Sequence, residues 1–175
     1  MRFAYYDRLS TSRQRTYRKS DDIRGLGIPP GLELGTLIAG IEASLRDEDR
    51  AAVRRRSQVL IDALAQGYHV PPVRVRVLAK RPTGDYGELH GLYKPQDSDT
   101  PARITVWMRT AQRHQVVAFR TFLHTLIHEL CHHLDYELFA LEETFHTEGF
   151  YKRESSLTNA LLAQAALPER RAAAD

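Results

Sequence analysis

A chain of 175 residues, 42% of them hydrophobic, supplies one self-sufficient core and is not expected to hold a second domain. Its single cysteine, Cys131, excludes a disulfide framework and a multi-cysteine metal site within one chain, so any metal must rest on histidines and carboxylates. The start has no leader-like apolar stretch and no run reaches the ~18 residues that cross a bilayer, which predicts a cytoplasmic protein without a membrane partner; the net charge of +3 permits an acidic partner without requiring one.

Residues 1–30 mix Arg2, Arg8, Arg13, Arg15, Arg18, Lys19 and Arg24 with Tyr5, Tyr6 and Tyr17 and show no sustained apolar period. They read as a basic N-terminal arm. Such an arm can track the phosphates of DNA and stack on its bases. The preferred reading is a solvated terminus docked in part through its tyrosines.

A single domain is expected over residues 31–167, helical at first. After the stop at Pro29, Pro30 and Gly31, the residues Leu34, Leu37, Ile38, Ile41 and Leu45 recur at helical spacing. Asp47 or Asp49 can cap a second helix, with Val53, Leu60, Ile61 and Leu64 inward and an end near Gly67. Arg50, Arg54, Arg55 and Arg56 crowd its start, where positive charge opposes the helix dipole; a solvated face is preferred there over a nucleic-acid or acidic-protein contact.

Pro71 and Pro72 break the helical pattern, and residues 73–78 alternate with period two, as a half-buried strand does. A second strand is expected over residues 86–93 and a third over 103–109, with 94–101 an exposed connection. The third strand leads almost directly into a long apolar-patterned helix over residues 116–141. It is expected to lie beside the functional cleft and offer an edge to an extended peptide, so polypeptide is a natural substrate. A short loop follows, then a last amphipathic helix with Leu157, Leu161 and Leu162, and a polar tail over residues 168–175. The fold expected is α+β: a small three-stranded sheet packed on the long helix and the helix after it, with helices preceding.

The long helix carries His128, Glu129, Leu130, Cys131 and His132. Residues four apart share a helix face about 6 Å apart along the axis, so His128 and His132 can aim two imidazoles at one metal ion. Glu129 lies about 100° round the helix, where it misses the ion yet reaches a water bound to it, the position of a general base. Leu123, Leu126, Ile127, Leu130 and Leu134 give the helix its apolar stripe, and Cys131 lies near that stripe as a small core residue.

A catalytic zinc needs a third protein ligand and an open position. His124 lies about 12 Å along the axis from His132, too far to share an ion, and His133 is turned about 100° away. Glu142 or Glu143 would serve if the chain turned back after the helix. His146, beyond a turn and followed four residues later by Phe150, is preferred because zinc accepts imidazole readily. One Zn2+ ion is therefore expected at His128, His132 and His146. Asp135 is a candidate acceptor for the outer N–H of a ligand imidazole, and Tyr151 and Arg153 are candidates for stabilising an oxyanion.

The run from His128 to His132, completed after a gap by His146 and Phe150, resembles the SprT-like (Spartan-related) zinc metallopeptidases and the similar WLM group. The likeness covers about residues 70–165. It implies a compact, mini-gluzincin-like zincin core over that stretch, zinc at His128, His132 and His146, base catalysis by Glu129, and peptide-bond hydrolysis that DNA can stimulate. The alternative reading is a non-catalytic, zinc-containing module that binds DNA or protein; a base placed beside a metal-bound water argues against it.

Overall fold

The computed structural model describes residues 3–84 and 87–172. A single 3-10 turn, Tyr6–Arg8, precedes helix α1, Thr11–Asp22, whose N-cap Ser10 accepts a hydrogen bond from the Arg13 N–H. The N-terminal segment is thus docked through its tyrosines, as expected, and its middle is an ordered helix. Tyr17 and Ser20 are fully buried, and Tyr6, Tyr17 and Phe145 form a small apolar cluster. The inward side of α1 is built from hydroxyls as much as from carbon: Ser20 Oγ lies 3.3 Å from Thr147 Oγ1, a contact that leaves no apolar period to read.

Helices α2, Gly35–Arg46, and α3, Arg50–Gly67, pair as an antiparallel hairpin-like unit. Asp49 caps α3 by accepting from the Ala52 N–H at 3.0 Å. Ile38, Ile41 and Leu45 of α2 and Val53, Leu60, Ile61 and Leu64 of α3 enter the main core, as their spacing predicts.

Strand β1, Arg74–Lys80, runs parallel to β5, Arg103–Arg109, and β4, Gly91–Lys94, runs antiparallel to β5, giving the order β1-β5-β4. The stretch expected as one strand over 86–93 divides instead into β3, Gly87–Glu88, which pairs with β2, Thr83–Gly84, and the sheet strand β4; Tyr86 lies outside the described residues. β5 is the centre of the sheet, so it offers no edge. Its residues Ile104 to Met108 are all buried, as a strand covered on both sides requires. The terminal strands are β1 and β4.

Helix α4, Phe119–Glu137, packs Phe122, Leu123, Leu126, Leu130 and Leu134 into the core against β4, β5 and helix α5, Glu148–Ala172. Among the described residues the architecture is α+β, five α-helices with one small mixed sheet and a two-stranded hairpin. None of those helices is long and apolar enough to cross a membrane. The join of α1 to α5 is tight: a Cβ on Gly149 would sit 2.5 Å from the Ser20 carbonyl oxygen, so the helix start requires a residue without one.

Candidate metal centre

α4 turns His128 and His132 to one face, and the chain between α4 and α5 brings His146 over them. The three Nε2 atoms form a near-equilateral triangle, 3.2 Å between His128 and His132 and 3.1 Å on each side to His146. Ligands held ~2.0–2.1 Å from one zinc at tetrahedral angles lie about 3.3–3.4 Å apart. The donor set therefore fits such an ion with a relaxation of a few tenths of an ångström. Phe150 supports all three rings, its centroid 5.1, 4.8 and 5.2 Å from those of His128, His132 and His146.

The outer ring nitrogens decide which way each lone pair points. Thr144 Oγ1 donates its one proton to Asp135 Oδ2 at 2.7 Å, so toward His132 Nδ1, 2.8 Å away, it must accept. That puts the proton of His132 on Nδ1 and leaves the Nε2 lone pair facing the triangle. Glu154, 1% exposed, places Oε2 3.3 Å from His128 Nδ1 and Oε1 2.9 Å from His124 Nε2, close enough for charge attraction but without hydrogen-bond geometry. Three neutral imidazoles whose inner atoms each carry one lone pair or one proton cannot satisfy all three mutual contacts, whereas a shared cation can.

Burial favours the uncharged form of His132 and of His146. Burial, followed by the neighbouring His128 and His146, pushes His132 down to about 3, and burial with His128 likewise lowers His146, against the pull of Glu154. Glu129 moves the other way, raised to about 7 by burial against the opposing effects of His128 and of the Tyr93 backbone N–H that hydrogen-bonds it. It is 5% exposed and lines, with Gly91, Tyr93, Tyr136, Thr144 and the three histidines, a cleft of about 300 Å3. β4 forms one wall of that cleft.

Comparison with family models, with curated proteins and with solved structures gives no match to this chain. Its chemistry is read from its own residues.

The remaining candidates fall as follows. Glu143 is held by Arg13, with contacts of 2.7 and 2.5 Å, and Glu142 accepts from Ser12 Oγ, so both glutamates face α1. Among the described residues His124 pairs with Glu154, and His133 is fully buried between the Pro71 carbonyl and the Tyr93 hydroxyl. Asp135 does not meet a ligand imidazole directly; the hydroxyl of Thr144 stands between, because Asp135 lies on the buried side of α4. Arg153 is not near any oxyanion position. It is fully buried and donates to the carbonyls of Ser20 and Ile23 and to Asp135 Oδ1, filling the interior where α1 meets α5. Tyr151 stacks on the far side of His146, centroids 5.8 Å apart, and does not line the cleft; the tyrosines that do are Tyr93 and Tyr136. Arg13 and Arg18, part of the basic segment considered for DNA, are engaged with Glu143 and the Tyr6 hydroxyl.

Thr144 and Glu154 were not singled out by sequence. A signal for Glu154 existed: α5 shows the apolar stripe Phe150, Leu157 and Leu161, and the charged pair Arg153 and Glu154 falls on that same stripe, where a solvated residue has no place. Thr144 carries no such mark.

Proposed function

We propose that this chain is a zinc-dependent metallopeptidase that hydrolyses peptide bonds with Glu129 as general base, of the SprT-like, mini-gluzincin-like kind that the motif resembles. The observation that carries the reading is the convergence of the His128, His132 and His146 Nε2 atoms beside a buried carboxylate in one cleft. One zinc ion bound by these three residues supplies a Lewis acid for the scissile carbonyl and an acidified water.

The chain's own residues do the rest. Glu129, one residue from His128 and raised to about 7 by burial, accepts the proton of the attacking water on its carboxylate and returns it to the leaving amine. Thr144, held by Asp135, fixes the His132 ring through its outer nitrogen, and Glu154 lies against the outer nitrogen of His128. The terminal strand β4 lines the cleft, so an extended polypeptide is the substrate class that matches its shape. A cytoplasmic setting belongs to the same proposal, supported by a lone cysteine kept buried and unpaired.

The test is Glu129→Gln with metal content and hydrolysis of an unfolded protein such as casein measured side by side. The variant should keep its zinc and lose about 10²- to 10⁴-fold in turnover. Unchanged turnover would remove Glu129 from the reaction.

A further inference from the structure

β4 and α4 together line the cleft with a row of rings. His132 and Tyr136 stand four residues apart on one face of α4, and the strand alternation that turns Gly91 toward Glu129 brings Tyr93, two residues on, to the same side. The Tyr93 ring is inclined by 20° to that of His132, centroids 6.4 Å apart, and by 25° to that of Tyr136, centroids 6.2 Å apart. All three border the cleft beside the ligand triangle.

At Tyr93 the row offers a ring and not a hydroxyl. His133, fully buried, donates from Nε2 to the Pro71 carbonyl at 2.8 Å, and burial favours its uncharged form, so Nδ1 is left to accept from the Tyr93 hydroxyl at 3.0 Å. The Tyr93 proton is thereby turned into the core, and the ring is anchored before any substrate arrives. Leu92 and Pro95 add carbon to the same cleft. Among its described lining residues there is no lysine or arginine, and Glu129 is the one carboxylate.

These features narrow what fits. An acidic side chain entering the cleft would lose water, find no cation and meet Glu129. A small side chain would leave the ring surface wet. A flat ring can settle on the row in the offset or edge-on arrangements that aromatic pairs prefer, with centroids about 4.5–7 Å apart, the spacing that His132, Tyr93 and Tyr136 already show. Resting on the peptidase reading, we propose that the cleft selects peptide bonds flanked by an aromatic residue, whose ring continues the row formed by His132, Tyr93 and Tyr136. Tyr136 is then a specificity-determining residue, and Tyr93 its fixed backing.

The experiment uses the full chain loaded with zinc and a set of peptides alike but for one central residue in a glycine- and serine-rich background: phenylalanine, its saturated analogue cyclohexylalanine, or alanine. Mass spectrometry should place cleavage beside the phenylalanine, with kcat/KM about 10- to 100-fold above the alanine peptide, from the apolar area buried, and about 3- to 10-fold above cyclohexylalanine, from ring stacking alone. Tyr136→Leu keeps apolar bulk without the ring and should bring phenylalanine level with cyclohexylalanine, whereas Tyr136→Phe should retain the preference. Glu129→Gln should bind the same peptides, labelled and read by fluorescence anisotropy, in the same order. Equal rates for phenylalanine and cyclohexylalanine in the parent, an unaltered ratio in Tyr136→Leu, or a different binding order overturns the proposal. Casein cleaved with the phenylalanine peptide left intact does so too, and in each of these cases the peptidase reading stands. A zinc-loaded parent that cleaves neither casein nor any peptide overturns that reading, and this proposal with it.

Discussion

Gly91 presses its backbone against Glu129: a Cβ at residue 91 would lie 2.8 Å from both Cγ and Cδ of that carboxylate side chain. The wall of the cleft thereby fixes where the Glu129 carboxylate stands. Gly91→Ala should displace Glu129 and lower turnover on the order of 10²-fold, since a shift of about 1 Å in a catalytic group has that effect. Zinc content should not change. Full activity in Gly91→Ala would mean that Glu129 needs no such positioning.

The acidity of Glu129 sets a second expectation, for the metal-free protein. Burial lifts this carboxyl from 4.5 to about 7, so the folded chain holds the proton more tightly than the unfolded one. The stabilisation from the neutral form is complete below the unfolded value and is lost as pH rises through about 7. Glu129→Gln removes the ionisation, so it should raise Tm over the parent at about pH 8 and not at about pH 4. Thermal unfolding of both proteins at the two pH values decides it; an equal difference at both would assign the effect to packing.

The ligand triangle predicts an ordered series of zinc affinities. His146→Ala should weaken binding most, because it removes a donor atom. Thr144→Val breaks the contact between Asp135 and the outer nitrogen of His132 and should weaken binding about 10- to 100-fold. His124→Ala, whose partner is Glu154 rather than the triangle, should change it least. Competition with a chromogenic chelator measures all three, and a loss at His124 matching that at His146 would refute the triangle.

Arg153 is a matter of stability. With its guanidinium gone, the fully buried Asp135 loses its counter-ion, so Arg153→Met should cost about 3–5 kcal/mol, read by denaturant unfolding. Adding Asp135→Asn to that variant should recover part of the loss, because the two residues act as one unit. Additive losses would show that the pair is not coupled.

How far the sequence could be read depended on what marked each residue. His128, Glu129 and His132 were legible because helix geometry alone puts them on neighbouring faces, and His146 because one short turn limits where the chain can go. Thr144 and Glu154 act across elements, and no periodicity encodes which hydroxyl or carboxylate a fold will bring to a ring nitrogen. Arg153 misled for the same reason: a charged residue near a cleft suggests the reaction, yet its partners are the carbonyls of Ser20 and Ile23, more than a hundred residues earlier. α1 escaped because its inward face is closed by Ser20 and Tyr17 rather than by an aliphatic stripe. The position of β5 at the centre of the sheet shows in its unbroken burial from Ile104 to Met108, a property of the fold rather than of a sequence period.

The contacts between Ser20 and both Thr147 and Arg153 join residues far apart along the chain. While the polypeptide is being made, α1 emerges from the ribosome early and waits, its inward hydroxyls and carbonyls unmet. Only when residues 144–154 have followed are the third imidazole, its supports and the α1 carbonyls brought together. Synthesis itself then delays assembly of the three-histidine cluster, so a half-made chain holds no complete site.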